Sequence, residues 1–340
     1  MCALARNDRG EFVPFAAGRY VRRAFPHSAM NNVICICGPT ASGKTGLAVA
    51  LAKKLDAEVV SCDSMQIYRG MDIGTAKPTA EEMAGVPHHL LDVAEPGEDF
   101  SVGRYVQLAD AAIADIHSRG KSAIVCGGTG LYMDNLIKGE RFAAPSRPAQ
   151  REYVEQIAEK KGIQFVYDML MDADPETAEK LHLSDRKRII RAMEVFLITG
   201  MPLSYHNQQS KLKPPKYEPA WIGLNFRDRN RLYARVDARV DQMMAQGLEQ
   251  EVRRLLDRGL DPKTTALQAI GYKELAAALR GECSTAQAAE QIKQASRRYA
   301  KRQLTWFRRN QQIRWIYMDE TPDPLAAALR LLAPCRGGDG

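Results

Sequence analysis

The 340-residue sequence lacks any long apolar run. A helix that crosses a membrane needs about 18 or more consecutive apolar residues, so we expect no membrane span. Internal repeats are also lacking. The composition is that of an ordinary globular protein, with 45% hydrophobic and 26% charged residues. A chain of this length has room for roughly two domains and a large core.

The cysteines do not form a framework. There are seven, an odd number, and no C-x-x-C pair occurs among them. Disulfide scaffolds and structural zinc sites need paired or clustered cysteines. The pattern therefore indicates free thiols in a reducing compartment, and we expect a cytoplasmic protein.

Residues 1–29 have no recognisable pattern. They carry five arginines but little hydrophobic periodicity, and no continuous apolar segment precedes a small-residue cleavage site. A secretory signal is therefore not expected. We expect a disordered extension, or a start codon placed too early, because Met30 stands just before the first predicted strand. An Arg-rich organelle presequence stays open as an alternative.

A phosphate-binding loop is present. Residues 38–45 read Gly38-Pro39-Thr40-Ala41-Ser42-Gly43-Lys44-Thr45 and fit the pattern G-x-x-x-x-G-K-[ST]. Glycines let the backbone wrap an anion closely, and the following helix directs its free N–H groups toward that anion. Lys44 adds a positive charge over the outer phosphate, and the Thr45 hydroxyl can bind Mg²⁺.

The segments around this loop predict the fold. Val33–Cys37 reads as a fully buried strand, and Leu47, Leu51 and Leu55 recur at the spacing of a helix packed on a sheet. Further apolar strands alternate with helical patterns along the chain. We predict an α/β fold, namely a P-loop parallel sheet flanked by helices, with a helical insertion domain.

Two predicted strand ends bear on the chemistry. The strand at 58–62 ends at Asp63 and Ser64, and strand carboxyl ends face the ligand crevice in this class of fold. We therefore place Asp63 in the site, the alternative being that it only caps a turn. The strand at 122–126 is followed by Gly127-Gly128-Thr129, where many nucleotide hydrolases carry an Asp that organises Mg²⁺. The absence of that Asp argues against an ordinary ATPase.

The adjacent His88 and His89 do not predict a metal site. Both fall in a short predicted strand at 88–93, and neighbouring residues of a strand point to opposite faces. Asp92, in the same segment, is a candidate contact for Mg²⁺.

The pattern changes to a helical one between residues 141 and 219, with prolines at both ends. We assign this segment to a helical insertion and residues 30–140 and 220–334 to the P-loop core. One of its helices carries a cluster of cations: Arg186, Lys187, Arg188 and Arg191. The cluster is either a solvated face or a surface for a polyanion.

Two arginines of a later helix are candidates for a diphosphate clamp. Arg235 and Arg239 lie one turn apart, beside apolar residues that face the core. The alternative is a salt bridge from either arginine to Asp237 or Asp241.

The last long helix predicts a nucleic-acid surface. Lys293, Arg297 and Lys301 share one of its faces, and no acid occurs between residues 293 and 309. The net charge of the chain is +7 and its pI is about 9.0. Two separated basic patches favour RNA or DNA binding over a merely solvated face.

Six motifs, taken in order, resemble one enzyme family. They are Gly38 to Thr45, Asp63-Ser64-Met65-Gln66-Ile67-Tyr68, Met71-Asp72-Ile73-Gly74-Thr75-Ala76-Lys77-Pro78, Gly127-Gly128-Thr129-Gly130-Leu131-Tyr132, Ile270-Gly271-Tyr272, and Tyr299-Ala300-Lys301-Arg302-Gln303-Leu304-Thr305-Trp306-Phe307. This set resembles the tRNA dimethylallyltransferases, also called tRNA isopentenyltransferases, over residues 32–318. Residues 1–29 lie outside the family pattern. The zinc finger of eukaryotic relatives is missing, which indicates the bacterial form.

The resemblance implies a reaction. A dimethylallyl group moves from its diphosphate to N6 of adenosine 37, in the anticodon stem-loop of tRNAs that read codons beginning with U, and diphosphate leaves. An adenine amino group is a poor nucleophile and needs a base, and the departing diphosphate needs positive charge around it. Base flipping is expected as well. The implied protein is a monomer that binds tRNA and dimethylallyl diphosphate without a membrane.

The resemblance also implies roles for single residues. The implied catalytic residues are Asp63, which acts as the base, Thr45 and Arg239. Residues 38–45 are implied to bind the diphosphate or a nucleotide, with Mg²⁺ as cofactor and Thr45 as its ligand. The expected tRNA contacts are those implied by the resemblance together with the three cations that share a face of the last long helix. They are Asp63, Ser64, Met65, Gln66, Thr129, Lys187, Arg188, Ile189, Ile190, Arg191, Gln268, Ala269, Ile270, Gly271, Tyr272, Lys273, Lys293, Arg297 and Lys301.

Two other classes of function stay open at this point. A P-loop small-molecule kinase would turn over ATP, and the missing strand-end Asp and the basic insertion count against it. A non-enzymatic RNA-binding protein would bind tRNA without transferring any prenyl group.

Overall fold

The computed structural model describes residues 4–6, 12–14, 32–139, 147–212 and 214–333. Two short strands, β1 (Leu4–Arg6) and β2 (Phe12–Pro14), pair antiparallel with each other. The rest of the predicted disordered extension, 1–29, lies outside the described residues, and its disorder stays a prediction.

A six-stranded sheet forms the centre of the core. Its strands are β3 (Asn32–Cys37), β4 (Ala57–Ser61), β5 (His88–His89), β6 (Ser122–Gly127), β7 (Glu218–Asn225) and β8 (Arg314–Tyr317). Their order is β5-β4-β6-β3-β7-β8, and every neighbouring pair is parallel. The carboxyl ends of all six strands therefore meet at one edge. This arrangement confirms the predicted α/β fold.

The strand predicted at 88–93 is shorter than expected, because β5 holds only two residues. Leu90 and Asp92 have φ angles of 65° and 54°. This left-handed conformation is incompatible with an extended strand, so β5 ends at His89.

The helices follow one another along the chain. In chain order they are α1 (Lys44–Leu55), α2 (Ala80–Met83), α3 (Val102–Ser118), α4 (Gly130–Lys138), α5 (Pro148–Lys161), α6 (Ile163–Ala173), α7 (Pro175–Ala178), α8 (Arg186–Thr199), α9 (Leu203–Lys211), α10 (Arg229–Ala245), α11 (Leu248–Asp257), α12 (Tyr272–Leu279), α13 (Thr285–Phe307) and α14 (Pro324–Leu332). Of these helices, none combines the length and the apolar surface that crossing a bilayer requires.

Helices cover both faces of the sheet. Alternate residues of β3 point to opposite faces, so Ile34 packs with α1 and α14 while Cys35 packs with α3 and α4. A third apolar cluster joins the segment after β4 to the helices α10 to α13, with Ile67, Met71 and Leu248 among its buried residues. The segment at the carboxyl edge of the sheet is therefore held by the C-terminal helices.

The chain divides into two compact units. Residues Lys138–Lys216 form the second unit, and the remainder forms the first. The second unit contains α5 to α9 around its own apolar core. Its boundaries fall three residues before the predicted ones, 141 and 219, because Tyr217 belongs to the sheet unit: its N–H bonds to Ile137 O, and its O–H donates to Asp110 at 2.8 Å.

Candidate active site

The phosphate loop connects the end of β3 to the start of α1. Gly38 has a φ of +143°, and a Cβ there would lie 2.5 Å from the carbonyl oxygen of Leu224 on β7. Gly43 has a φ of +91° and directly precedes the first helical residue, Lys44. Only glycine meets both requirements without strain. The predicted loop therefore has the backbone shape of an anion cradle at a helix N-terminus.

Two side chains of this loop, Lys44 and Ser42, are placed to bind an anion. The Nζ of Lys44 donates to the carbonyl oxygen of Pro39 at 2.6 Å. Burial, with a smaller contribution from the charge of Arg239, lowers the pKa of Lys44 to about 8. The Ser42 side chain is 1% exposed, and its hydroxyl has no hydrogen-bond partner among the described residues. A buried hydroxyl and a desolvated cation are both satisfied by a bound anion.

Asp63 lies directly after β4, as predicted. Its Oδ1 accepts hydrogen bonds from the main-chain N–H groups of Met65 at 2.9 Å and Gln66 at 3.3 Å. The turn-capping alternative is thus true of this residue too, and it uses one carboxylate oxygen. The side chain lines the same cleft as Lys44 and Arg239. A carboxylate that is fixed by its own turn at the edge of a cleft is a candidate general base.

Thr129 brings the end of β6 against the end of β4. Its hydroxyl accepts from the Ser64 N–H at 3.0 Å, and its own N–H donates to the carbonyl oxygen of Cys62 at 3.2 Å. The Ser64 and Thr129 positions predicted from the two strand ends are therefore adjacent.

Gln303 on α13 is a site residue for which the sequence assigned no role. Its Oε1 accepts from the Thr40 N–H of the phosphate loop at 2.8 Å, and its Nε2 donates to the Gly128 carbonyl oxygen at 3.0 Å. The side chain is 5% exposed. A signal existed, because this glutamine lies on the apolar stripe with Ala300 and Leu304, where a polar residue must find partners.

The two arginines of α10 take different positions. The Nε of Arg235 donates to the carbonyl oxygen of Ala41 at 3.0 Å, so this arginine holds the phosphate loop. Arg239 lines the cleft, where burial lowers its pKa and the charge of Asp63 opposes that shift. The alternative salt bridges do not form, because Asp237 and Asp241 pair with cations of α13 instead. Arg239 therefore remains available for an anion in the cleft.

The predicted basic face of α13 divides into two parts. Lys293 contacts Asp241 at 2.7 Å and Glu290 at 2.9 Å, and Arg297 contacts Asp237 at 2.5 Å. The pairs with Asp241 and Asp237 join α13 to α10, and the Lys293 side chain is only 16% exposed. The contacts argue against a direct role of Lys293 and Arg297 in RNA binding.

Other cations of α13 point to solvent. Lys301 is exposed as predicted, and so are further basic residues of α13 and of the turn after it: Arg298, Arg302, Arg308 and Arg309. The exposed basic surface is thus shifted toward the C-terminal half of the helix.

The segment 268–273 also divides. Gln268, Ala269, Ile270 and Gly271 line the cleft, and Lys273 is exposed. Tyr272 is fully buried, and its O–H donates to Glu251 at 2.6 Å. The expected tRNA contact of the Tyr272 side chain is therefore replaced by a core contact.

In the second unit, α8 has an exposed and a buried side. Lys187 and Arg188 are exposed, whereas Ile189 and Ile190 are 0% and 3% exposed and form part of the unit's core. Arg191 contacts the buried Glu194 at 2.9 Å. The two isoleucine side chains thus cannot contact RNA in this structure, and the two exposed cations can.

Of the two candidate Mg²⁺ contacts, Thr45 lines the cleft, whereas Asp92 and the neighbouring His89 have protein partners. Asp92 contacts Lys77 at 2.6 Å, and His89 contacts the buried Glu58 at 2.8 Å. Among the described residues, no group of His, Cys, Asp or Glu side chains could hold a metal ion by itself. The Asp92 carboxylate thus contacts Lys77, and its contact with Mg²⁺ stays a prediction.

One cleft of about 780 Å³ collects most of these groups at the carboxyl edge of the sheet. Its lining includes the loop residues 40–46, Asp63 to Gln66, the segment 72–79, Arg239 and Tyr299. Burial raises the pKa of the Cys126 thiol at the end of β6 to about 12, so this position holds a neutral thiol instead of a carboxylate.

The chain matches the IPP transferase family over residues 66–310. It is 47% identical over 290 residues to a tRNA dimethylallyltransferase of Caldanaerobacter subterraneus, covering 85% of this chain and 92% of the relative. It is 50% identical over 289 residues to that of Geobacillus thermodenitrificans, covering 85% and 91%.

Solved structures agree with this match. The full-length tRNA isopentenylpyrophosphate transferase of Bacillus halodurans has a TM-score of 0.64 and 42% identity, with 88% of this chain and 93% of that chain covered. A eukaryotic dimethylallyltransferase acting on tRNA has a TM-score of 0.78 and 30% identity, covering 88% and 78%. These matches confirm the resemblance read from the six motifs, and the chain belongs to the IPP transferase family.

Proposed function

We propose that the protein is a tRNA dimethylallyltransferase. It transfers a dimethylallyl group from dimethylallyl diphosphate to N6 of adenosine 37 in tRNAs that read codons beginning with U. The observation that carries the proposal is one cleft that holds a phosphate cradle, two half-buried cations (Lys44 and Arg239) and the Asp63 carboxylate, without a carboxylate at the end of β6.

The phosphate loop binds the donor. Its main-chain N–H groups, the Ser42 hydroxyl and Lys44 surround the diphosphate, and Arg239 faces it from α10. The interactions of these groups with the diphosphate become stronger as the carbon–oxygen bond breaks, because negative charge then gathers on the leaving diphosphate. The same charges contribute to binding and to turnover.

Mg²⁺ fits the Thr45 hydroxyl together with phosphate oxygens of the donor. This ion commonly keeps few protein ligands and takes the rest from phosphate and water. When bound, Mg²⁺ supplies further neutralisation of the leaving group.

Asp63 acts on the acceptor. N6 of the flipped adenine forms a bond to the first carbon of the allyl group, and the bond from that carbon to the diphosphate oxygen breaks. The electron pair leaves with diphosphate, and the N6 proton goes to the oxygen of Asp63 that its own turn does not use. Thr129, next to Ser64, borders the same place.

Exposed cations of each unit bind the tRNA phosphates. In the first unit these are Lys301 and its neighbours Arg298 and Arg302, and in the second unit Lys187 and Arg188. Such contacts position the RNA without reading its sequence.

The protein works as a monomer in a reducing compartment. All described cysteines are free thiols, and four of them are buried in the sheet unit: Cys35, Cys37, Cys62 and Cys126. Size-exclusion chromatography with light scattering tests the monomer.

Transfer of radiolabel from dimethylallyl diphosphate to unmodified tRNA tests the function. Asp63→Ala is expected to lower kcat by roughly 10²–10⁴-fold, the usual range for a general base, with tRNA affinity changed only about threefold. Asp115→Ala, which removes an exposed carboxylate beside Arg119, is the matched control. Retention of more than about a tenth of the wild-type rate by Asp63→Ala would exclude the base role.

The same assay separates the alternatives. A kinase would require ATP and hydrolyse it, whereas a non-enzymatic RNA-binding protein would retain tRNA and release no diphosphate. The kinase result is not expected, because Cys126-Gly127-Gly128 supplies no strand-end carboxylate. The purely RNA-binding result is not expected, because the Asp63 carboxylate lines the same cleft as the phosphate loop.

A further inference from the structure

A buried carboxylate on α11 holds the wall of the cleft. Glu251 is 2% exposed. It accepts hydrogen bonds from three consecutive main-chain N–H groups, those of Asp72 at 3.0 Å, Ile73 at 2.9 Å and Gly74 at 3.1 Å. The O–H of Tyr272 is a fourth donor, at 2.6 Å. Charge-assisted bonds to several N–H groups fix a loop more firmly than neutral ones.

The loop that Glu251 holds is bound in turn to the residues around Asp63. The carbonyl oxygens of Thr75 and Ala76 accept from Nε2 of Gln66 at 3.2 and 3.0 Å. The main-chain N–H of Gln66 donates to Oδ1 of Asp63 at 3.3 Å. A continuous set of contacts therefore leads from Glu251 through the cleft loop to the carboxylate that faces the acceptor.

We infer that Glu251 is a positioning residue for transfer to the acceptor base. The inference rests on the proposed function. Loss of its charge would release the segment 72–74, and with it the partners of Gln66 and the orientation of Asp63. A misplacement of about 1 Å at a reacting group costs up to about 100-fold in rate. The phosphate loop has separate supports, Gln303 and Arg235, so donor binding is expected to stay intact.

A second buried carboxylate supplies the comparison that the inference needs. Glu58 is 1% exposed and contacts Arg119, Lys121 and His89. It lies near the amino end of β4, at the sheet edge opposite to the cleft. Removing Glu251 leaves the buried Tyr272 hydroxyl and three main-chain N–H groups without their partner, and removing Glu58 leaves three partly exposed side chains without theirs. Both changes are expected to lower stability. Only Glu251 is expected to alter the kinetics of the folded enzyme.

The experiment compares Glu251→Gln with Glu58→Gln in steady-state transfer, with rates normalised to folded protein. Glu251→Gln is expected to lower kcat/KM for tRNA by about 10- to 100-fold, with the KM for dimethylallyl diphosphate within about threefold of wild type. Glu58→Gln is expected to lower Tm and leave both parameters within about twofold. Equal kinetics in the two variants would overturn the inference.

A second perturbation keeps the test decisive if Glu251→Gln does not fold. A Cβ at Gly74 would lie 2.5 Å from the Tyr272 ring, so Gly74→Ala displaces the loop without removing a charge. Gly97→Ala is its control, since the nearest atom there, Cδ2 of Leu260, is 3.7 Å away. The same loss in kcat/KM for tRNA is expected from Gly74→Ala alone, and wild-type kinetics would overturn the inference. If the wild-type protein transfers no dimethylallyl group, the proposed function is refuted as well. If the wild type is active and the variants have wild-type kinetics, only this inference is refuted.

Discussion

Replacing Gln303 by leucine tests how strongly α13 is tied to the phosphate loop. The substitution keeps the approximate size of the side chain and removes its amide. Two hydrogen bonds are lost, one to the Thr40 N–H at 2.8 Å and one to the Gly128 carbonyl oxygen at 3.0 Å. The α13 helix would then pack against the loop without holding it.

The magnitude follows from the burial of the two groups. A buried polar group left without a partner costs about 1–3 kcal/mol. Gly128 is buried and Thr40 is partly buried, so water can reach the second group more easily. We expect a loss of about 2–4 kcal/mol in the free energy of unfolding. With an unfolding entropy of about 2.1 cal/mol/K per residue, this loss corresponds to a decrease in Tm of roughly 3–6 °C for a chain of this size. If about 1.4 kcal/mol of this loss must be recovered when the donor orders the loop, donor affinity falls tenfold.

The assay measures chemical unfolding and donor KM in the same preparations. Gln294→Leu, an exposed glutamine on the same helix, is the control and is expected to leave both quantities near wild type. A Gln303→Leu variant with Tm within about 2 °C and donor KM within about twofold of wild type would refute the reasoning. In that case the two hydrogen bonds would contribute nothing that water does not replace.

Three further outcomes follow from the same site. Neutralising Arg298 and Lys301 should reduce the slope of log Kd for tRNA against log salt by about 0.7–0.9 for each lost phosphate contact, whereas neutralising Lys293 and Arg297 should mainly lower Tm; a larger slope change in the second pair would reverse the assignment. Donor affinity should fall about tenfold per pH unit above about 8, because Lys44 of the unliganded protein loses its proton there and binding of diphosphate requires the charged form. Calorimetry in two buffers should detect proton uptake on donor binding near pH 9. Absence of this uptake would contradict the lowered pKa of Lys44. ATP should not be hydrolysed with or without tRNA, and coupling of transfer to ATP cleavage would restore the kinase alternative.

The pKa of Lys44 also predicts how stability depends on pH. Its value falls from 10.5 to about 8 on folding. Between these values the unfolded chain holds the proton and the folded protein does not, so the contribution of this group to stability rises with pH across that window. Stability and donor affinity therefore change in opposite directions above pH 8.

The parts of the site that sequence predicts are those set by local geometry. The phosphate loop needs glycine at Gly38 and Gly43 because of backbone angles and one close approach, and both needs are visible as a spacing. Asp63 follows from topology, since parallel strands end at one edge. The strand at 88–93 was predicted, but its early end at His89 was not, because positive φ angles at Leu90 and Asp92 are not signalled by their residue types.

Contacts between distant helices could not be predicted. A helical pattern identified the shared face of Lys293 and Arg297 correctly, but their partners Asp237 and Asp241 lie on a helix more than 50 residues earlier. Burial of Tyr272 likewise depends on Glu251 and on the loop at 72–74, which only the folded structure brings together. Residue type and spacing reveal which side chains share a face, and tertiary packing decides what that face meets.

The reaction catalysed on a P-loop depends on the residues that face the phosphates, because the cradle itself recognises only an anion. At the end of β6 this chain has a neutral thiol, Cys126, in the place where a carboxylate would hold Mg²⁺ for hydrolysis. At the end of β4 it has Asp63, with one oxygen fixed by its own turn. A carboxylate at the end of β4, instead of β6, is not placed to organise an ion for attack by water. In the proposed mechanism it accepts the proton of the second substrate. In this mechanism the strand-end carboxylate therefore serves the acceptor nucleotide, and the donor is cleaved by transfer to N6 instead of by attack of water.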